Sequence, residues 1–478
     1  MKKRTKILAT IGPSSDSLDM LIQLINAGVN VFRLNFSHGT HEQHLIVLQR
    51  IHEAMKVTGL VVGVLQDISG PKIRIGDLKE DFFLEENDTL IFSALEILGQ
   101  QLSHNVYQVS INYPEILKQL NMGDYIYLYD GTIRTKVTEI NEKGVKVNVE
   151  NAGTLSSKKG VNFPNTRLGV DVLTNKDKKD IEWGVKNSVD FMAISFVQSA
   201  QDMKNARAIV KSHGGQQKLI AKIEKFDAIE NIDEIIEASD GLMVARGDLG
   251  IEVPYYEVPN LQKILIGKAN AASIPVITAT QMLLSMTKNE RATRAEISDI
   301  ANAVMDGTDA VMLSEESAVG ENPVLAVETM SNTIVETEKF YKYYRYSGYT
   351  NKDIGDTISE SAVRLANDVD VKGIFAITSS GASVRKLTRY KPKKTIYAIT
   401  HNSIVRGQMS LLWGVIPLMS VDESSLQHVV NEFMKRGLKE GSIKKENSYI
   451  LTAGDPIGKA GSTNMIRVIS SEDMKEFT

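Results

Sequence analysis

Short apolar runs punctuate this chain, and they share one habit: each stops on charged or hydroxyl residues. The runs near 30–37, 61–67, 218–224, 241–248, 274–280 and 309–316 end in Arg33-Leu-Asn35-Phe-Ser37, Asp67, Lys222-Ile-Glu224, Arg246-Gly-Asp248, Thr278-Ala-Thr280 and Ser314-Glu-Glu316. Apolar strands that deliver polar groups only at one end describe parallel strands whose C-terminal edge carries the chemistry. Strands are expected near 6–12, 29–37, 61–68, 189–196, 218–224, 241–247, 274–281 and 309–316, separated mostly by helical periodicity. That alternation predicts a parallel α/β fold closed as a (β/α)8 TIM barrel.

The third and fourth strands are too far apart for one crossover. Between them, short β segments such as 124–129 and 145–149 are joined by Asn, Gly and Asp turns. This predicts an inserted small β-barrel, leaving the barrel at its active-site face and so placed to act as a lid. From about 341 a new series begins: a helix near 356–368, then strands near 372–378, 395–400, 414–419 and 449–452. The expected division is a barrel at 1–70 and 171–340, a lid at 71–170, and a C-terminal open-sheet α/β domain at 341–478.

Composition narrows the class. A chain of 478 residues holds two to four domains, and 34 Gly against 11 Pro excludes collagenous or disordered readings. A net charge of −4 gives no reason to expect nucleic acid or anionic membrane as partner. With no cysteine, disulfides and thiol nucleophiles are excluded, and a reducing cytoplasm is the compatible location. The basic Met1-Lys-Lys-Arg4 is followed by an apolar stretch that breaks at Gly12-Pro13, too short for a signal sequence. No run reaches the roughly 20 apolar residues of a membrane span.

Residues two apart on a strand share a face, so Lys222 with Glu224, and Arg33 with Asn35 and Ser37, point into one cavity. Glu224 and Asp248, on neighbouring strand ends, suit a hard divalent cation such as Mg²⁺. The turn Ala245-Arg-Gly-Asp-Leu-Gly250 offers backbone N–H groups to a carboxylate or phosphate if a helix begins there. Arg33 can clamp a phosphoryl group and Lys222 can neutralise its charge in flight. Thr280, Ser314 and Glu316 can form a proton relay on the opposite wall. Taken singly, each has a plainer reading as a solvated carboxylate, a surface ion pair or a strand-closing hydroxyl. Their joint position at strand ends carries the functional one.

The strings Thr5-Lys-Ile-Leu-Ala-Thr-Ile-Gly-Pro13, Arg33-Leu-Asn-Phe-Ser-His-Gly-Thr-His41, Ala221-Lys-Ile-Glu224, Met243-Val-Ala-Arg-Gly-Asp-Leu-Gly-Ile-Glu252 and Ala279-Thr-Gln-Met282 resemble the pyruvate kinase family in order and spacing, over essentially the whole chain. The resemblance implies phosphoryl transfer from phosphoenolpyruvate to ADP, giving pyruvate and ATP, with Mg²⁺ or Mn²⁺. It also implies a homotetramer under C-terminal allosteric control. By it, Arg33 holds the phosphoryl group, Lys222 stabilises its transition state and the enolate, and Glu224 and Asp248 hold the metal. The backbone at Gly247 and Asp248 seats the substrate carboxylate. Thr280 lies near the enolate, linked by Ser314 and Glu316 to solvent protons. Asn35, His38, Arg74, Lys159 and the lid's Asp130 match nucleotide-contacting positions. A sugar phosphate or nucleoside monophosphate is expected at Thr378, Ser379, Ser380, Gly381 and Ser383, and near 454–461.

Three departures stand out. Asp67-Ile-Ser-Gly-Pro-Lys72 has Ile68 and Lys72 where potassium-dependent members carry threonine and glutamate. Around Asn35, Ser37, Asp67 and Ile68, Lys72 is therefore expected to substitute for K⁺. Ser314-Glu-Glu-Ser-Ala318 adds Glu315 where the family has glycine, and Ala382 stands where the effector loop commonly carries arginine. Two other classes compete: a mutase or lyase on a phosphoenolpyruvate barrel, and a metabolite-binding regulator that has lost activity. The lid with Lys159 argues against the first, and retention of Lys222, Glu224, Asp248 and Thr280 against the second.

Overall fold

The computed structural model describes residues 3–344 and 353–477, except 165, 168, 170, 420–424, 442, 457–460 and 462. Eight parallel strands close a barrel in sequence order: β1 (Lys6–Thr10), β2 (Val31–Asn35), β3 (Gly63–Ile68), β4 (Phe191–Ile194), β5 (Lys218–Ile223), β6 (Gly241–Ala245), β7 (Val276–Ala279) and β8 (Ala310–Leu313). The period of two explains the near-continuous apolar runs. Leu8, Val31, Leu65, Ala193, Ile220, Met243, Ile277 and Ala310 fill the barrel interior, while alternate residues such as Ile7, Phe32, Val64, Met192, Leu219 and Leu242 meet the surrounding helices. Parallel register sets Thr10 beside Arg33 and Asn35 beside Asp67, so polar strand ends from different strands meet.

Helices begin where their caps dictate. Thr40 and Gln43 form a capping box at α1 (His41–Thr58), and Thr174 with Asp177 does so at α2 (Asn175–Lys186). The insert between β3 and β4, expected as a small β-barrel, pairs its strands as a seven-stranded sheet and a separate two-stranded one around a single apolar core. Thr89–Ser93 runs parallel to Val106–Ser110, a pairing that hairpin turns do not reveal. Its tight turn at Gly144 (φ +145) excludes any side chain, since a Cβ would lie 2.0 Å from the Phe92 carbonyl oxygen.

The C-terminal sheet orders its strands Val415–Met419, Thr395–Thr400, Gly373–Ile377, Tyr449–Ala453, Met465–Ile469. The expected helix appears as Ile354–Asp368. The antiparallel edge strand Met465–Ile469 is absent from the sequence reading, because its side chains are only partly buried and its apolar pattern is weak. This unit seals the barrel's N-terminal end. Leu411 joins the barrel's interior cluster, and Lys6 Nζ donates to the Val415 carbonyl at 2.6 Å. Lys391 and Asp309 form a fully buried ion pair at 2.7 Å across the boundary. Among the described residues no helix is long and apolar enough to cross a membrane.

Candidate active site

The polar strand ends converge on Lys222. Its ammonium donates to Ser195 Oγ at 2.7 Å and lies 2.8 Å from Glu224 Oε1 and 3.2 Å from Asp67 Oδ1. Burial alone would drive its proton off, but Asp67 and Glu224 overcome that and hold the pKa above its ordinary value. Arg33 donates through Nε to Asp67 Oδ2 at 2.6 Å and through Nη1 to Thr10 Oγ1 at 3.0 Å. Burial works against the Asp67 charge, yet Lys222 and Arg33 together keep its carboxyl below the usual carboxylate range. The result is a nearly dry cluster of two cations and two anions, with Asp67 and Glu224 each 2 % exposed. Such a cluster stays ordered only while every charge keeps its partner.

Asp248 stands in the first turn of α3 (Arg246–Glu252), so the helix anticipated after Ala245 does begin there. Burial first, and the Glu224 charge second, push its carboxyl up to about 6, with Lys222 and Lys72 opposing and the insert's Asp130 adding to the rise. Two carboxylates that repel each other in a buried cleft are the donor set a hard cation neutralises. Among the described residues no three His, Cys, Asp or Glu gather as a complete cage. The pair Glu224 and Asp248 suits Mg²⁺, which takes oxygen ligands and keeps positions for water and substrate oxygens.

The turn preceding Asp248 is locked from behind. Arg246 pairs with Asp299 at 2.7 Å and donates to the Thr280 carbonyl at 2.8 Å. Gly247 N–H donates to Thr280 Oγ1 at 2.8 Å, and that hydroxyl donates to the Ala279 carbonyl at 2.6 Å. Thr280 and Gln281 both adopt left-handed backbone (φ +70 and +57), a strained geometry that this network over-determines. On the same wall, Glu316 is 1 % exposed and accepts from the backbone N–H groups of Leu283 (3.0 Å) and Ser314 (2.7 Å).

A cleft of about 310 Å³ opens between barrel and insert, lined among others by Lys72, Arg74, Asp130, Lys159, Lys225 and Asp248. Lys159 Nζ sits 4.0 Å from the Tyr129 ring centroid, Arg74 donates to the Lys158 carbonyl at 2.8 Å, and Lys225 pairs with Glu252 at 2.8 Å in a buried contact. Lys72 leans into this cleft. Its ammonium is depressed by burial, then by Arg74 and Lys222, and supported by Asp248 and Asp67. The exposed ring of His38 is likewise held below the ordinary histidine value by partial burial and by Lys72, Arg74 and Arg33.

Comparison with known proteins assigns this arrangement. Residues 2–327 match the pyruvate kinase barrel domain and residues 356–469 the pyruvate kinase alpha/beta domain. The chain belongs to the pyruvate kinase family. It is 41% identical to the pyruvate kinase of Geobacillus stearothermophilus over 99% of this chain and 81% of that one. The pyruvate kinase of Staphylococcus epidermidis is also 41% identical, over 98% and 80%. A crystal structure of a pyruvate kinase from Cryptosporidium parvum superimposes with a TM-score of 0.92 at 34% identity, covering 98% of this chain and 96% of that one. As a pyruvate kinase family member the chain is a phosphotransferase with a (β/α)8 barrel and a C-terminal α/β domain.

Within that pyruvate kinase frame, the structure brings Arg33, Asp67, Lys222, Glu224 and Asp248 together, with Lys72, Arg74, Asp130 and Lys159 facing them across the cleft. Asn35 Oδ1 accepts from Ser37 N–H at 3.1 Å, shaping the turn that carries His38, and Ile68 is fully buried. Two expected arrangements differ. The Gly247 N–H, read as part of a carboxylate seat, is already engaged by Thr280. Among the described residues no direct hydrogen bond joins Ser314 or Glu316 to the Thr280 hydroxyl; the Glu316 oxygens accept from the Leu283 and Ser314 N–H groups. Sequence reasoning passed over Ser195 and Thr10, which bond Lys222 and Arg33, and Lys225 in the cleft. Of these, Ser195 and Thr10 left a faint signal, each as a hydroxyl closing an apolar strand. In the C-terminal domain, Thr378 Oγ1 accepts from Gly381 N–H at 2.9 Å and α4 (Ala382–Arg389) follows directly. Of the second effector segment, 457–460 lie outside the described residues.

Proposed function

We propose that this chain moves the phosphoryl group of phosphoenolpyruvate to ADP, giving pyruvate and ATP, without requiring K⁺. The carrying observation is the Lys222 ammonium held between Asp67, Glu224 and Ser195, close enough to feel the charges of Asp248 and Lys72, which line a cleft that also carries the insert's Lys159 and Asp130. Arg33 and Lys222 hold the phosphoryl oxygens as the enol C–O–P bond breaks and a terminal ADP oxygen bonds to phosphorus. Their fixed positive charge meets the negative charge that spreads over the transferring group. Glu224 and Asp248 would hold Mg²⁺ or Mn²⁺, which supplies further neutralisation when bound. The enolate left behind takes a proton from solvent near Thr280. The insert at 71–170 closes over the nucleotide through Lys159, Arg74 and Asp130, with Asn35 and His38 on the barrel side.

Lys72 supports the monovalent part of the reading. It feels Asp67 and Asp248 as neighbours, so its ammonium brings one tethered positive charge to the region of Asn35, Ser37 and Asp67. A free cation beside it would be repelled, by several kcal/mol at short range in a low-dielectric site, as an order-of-magnitude estimate. Ile68 offers no side-chain oxygen there, and its carbonyl already accepts from Ser195 Oγ at 2.6 Å. The test is kcat/KM for phosphoenolpyruvate in tetramethylammonium buffer with and without about 100 mM KCl, near physiological ionic strength. Less than a twofold change is expected for the wild type and a clear K⁺ requirement for Lys72→Glu. A rise of about tenfold in the wild type, equivalent to roughly 1.4 kcal/mol, would reject the reading.

We further propose a homotetrameric cytoplasmic enzyme, divided near residues 70, 170 and 340, that a sugar phosphate or nucleoside monophosphate activates at Thr378, Ser379, Ser380, Gly381 and Ser383. Gly381 at φ +77 turns the chain into α4, a loop that can present backbone N–H groups to phosphate. Ser383→Glu is expected to raise the activating concentration about tenfold or more through like-charge repulsion. An unchanged activation curve for a variant with unaltered melting temperature would move the effector elsewhere.

A further inference from the structure

Two segments tether the insert to the barrel, one leaving at 68–71 and one returning at 171–174, and a single buried carboxylate bonds both. Asp177 is fully buried on α2. Its Oδ2 accepts from Thr174 N–H at 2.9 Å and from Thr174 Oγ1 at 2.6 Å, while its Oδ1 accepts from Gly70 N–H at 3.2 Å. The Thr174 half is an ordinary helix cap. The Gly70 half is not, because it joins the outgoing tether to the returning one across 107 residues. We propose that Asp177 is a positioning residue that fixes the pivot of the lid and thereby sets where the lid delivers the nucleotide.

The pivot has little room to move. Gly70 takes φ +66 against the Phe196 ring, so close that a Cβ would fall 2.8 Å from it. Two residues back, the Ile68 carbonyl accepts from Ser195 Oγ at 2.6 Å, the same hydroxyl that receives Lys222. One turn along α2, Asp180 takes Lys176 at 2.6 Å and His41 at 2.7 Å, and Lys176 also donates to the Phe36 carbonyl at 2.7 Å. The helix that clasps the tethers therefore also braces the turn bearing Ser37 and His38. Immediately beyond Gly70 come Lys72 and Arg74, both lining the cleft. The lid side faces the same carboxylate, since Tyr113 in the insert is raised by burial and then by the Asp177 charge. A lid hinged at a point referenced to both Lys222 and the His38 turn approaches the phosphoryl site along one path.

This rests on the reading that the insert closes over the nucleotide. The test is hydrogen exchange and steady-state kinetics of full-length Asp177→Ala, Thr174→Val and Thr174→Ser. In Asp177→Ala, exchange at Gly70 is expected to quicken about tenfold, as local opening there loses its restraint. KM for ADP is expected to rise about fivefold or more, with KM for phosphoenolpyruvate changing less than twofold. Thr174→Val should fall between Asp177→Ala and wild type, and Thr174→Ser should restore wild-type values. Unchanged exchange at Gly70 overturns the proposal, as does an equal rise in both KM values, which marks mere structural support. If Asp177→Ala does not fold, the same criteria apply to Thr174→Val. Lys159→Ala checks the lid reading independently: an unchanged KM for ADP there would sink that reading and leave the clasp geometry untouched.

Discussion

Lys222→Met is expected to lower kcat by roughly three orders of magnitude, about 4 kcal/mol of transition-state stabilisation. Methionine keeps most of the side chain's length and removes an ammonium that contacts Ser195, Glu224 and Asp67 at once. Arg33 still compensates Asp67, but Glu224 loses the Lys222 cation and, among the described residues, is left with the Phe196 N–H at 2.7 Å. Some loss of melting temperature should accompany the kinetic defect, because an uncompensated buried carboxylate is costly. Rapid-quench measurement of a single turnover separates chemistry from binding. A variant that retains more than about a tenth of the wild-type kcat, a loss of only about 1.4 kcal/mol, would show that Lys222 is not the charge that follows the phosphoryl group.

Asp248→Ala and Glu224→Ala are each expected to raise the Mg²⁺ concentration for half-maximal activity about a hundredfold, since a hard cation loses half of its anionic ligands. The two variants should differ in a second respect. Asp248→Ala leaves the Lys222–Glu224 pair standing, so its fold should tolerate the change. Glu224→Ala removes a partner of Lys222 and the acceptor of Phe196 N–H, so it should also melt lower. Manganese titration followed by electron paramagnetic resonance reads the site without turnover. Binding of Mn²⁺ to Asp248→Ala at wild-type affinity would remove Asp248 from the ligand set.

The barrel was legible because its strands are buried on both faces, so each reads as an apolar run with an abrupt polar end. The same abruptness exposed Arg33, Asp67, Lys222 and Asp248. Glu224 lies one residue past the end of β5, and the pattern still caught it, since the polar alternation continues into the turn. What stayed hidden depends on contacts between distant segments. Thr10 matters because parallel register sets it beside Arg33, and Ser195 because its hydroxyl bridges Lys222 and the Ile68 carbonyl; neither relation has a local sequence mark. The expected relay partner Glu316 is buried and accepts from two backbone amides, one of them on the distant Leu283, a contact that no local pattern marks. In the insert, turns were readable but strand partners were not, since parallel pairing leaves no hairpin signature.

Leu411, reaching up into the barrel's interior cluster from the C-terminal unit, makes that unit a cork rather than an appendage. Behind it stands the dry Lys391–Asp309 pair, and Ser410 packs so closely that even a methyl group on Gly63 would meet its hydroxyl. Cutting the chain before residue 353 would therefore uncork the barrel, wetting its apolar bore and stranding the Asp309 charge without its lysine.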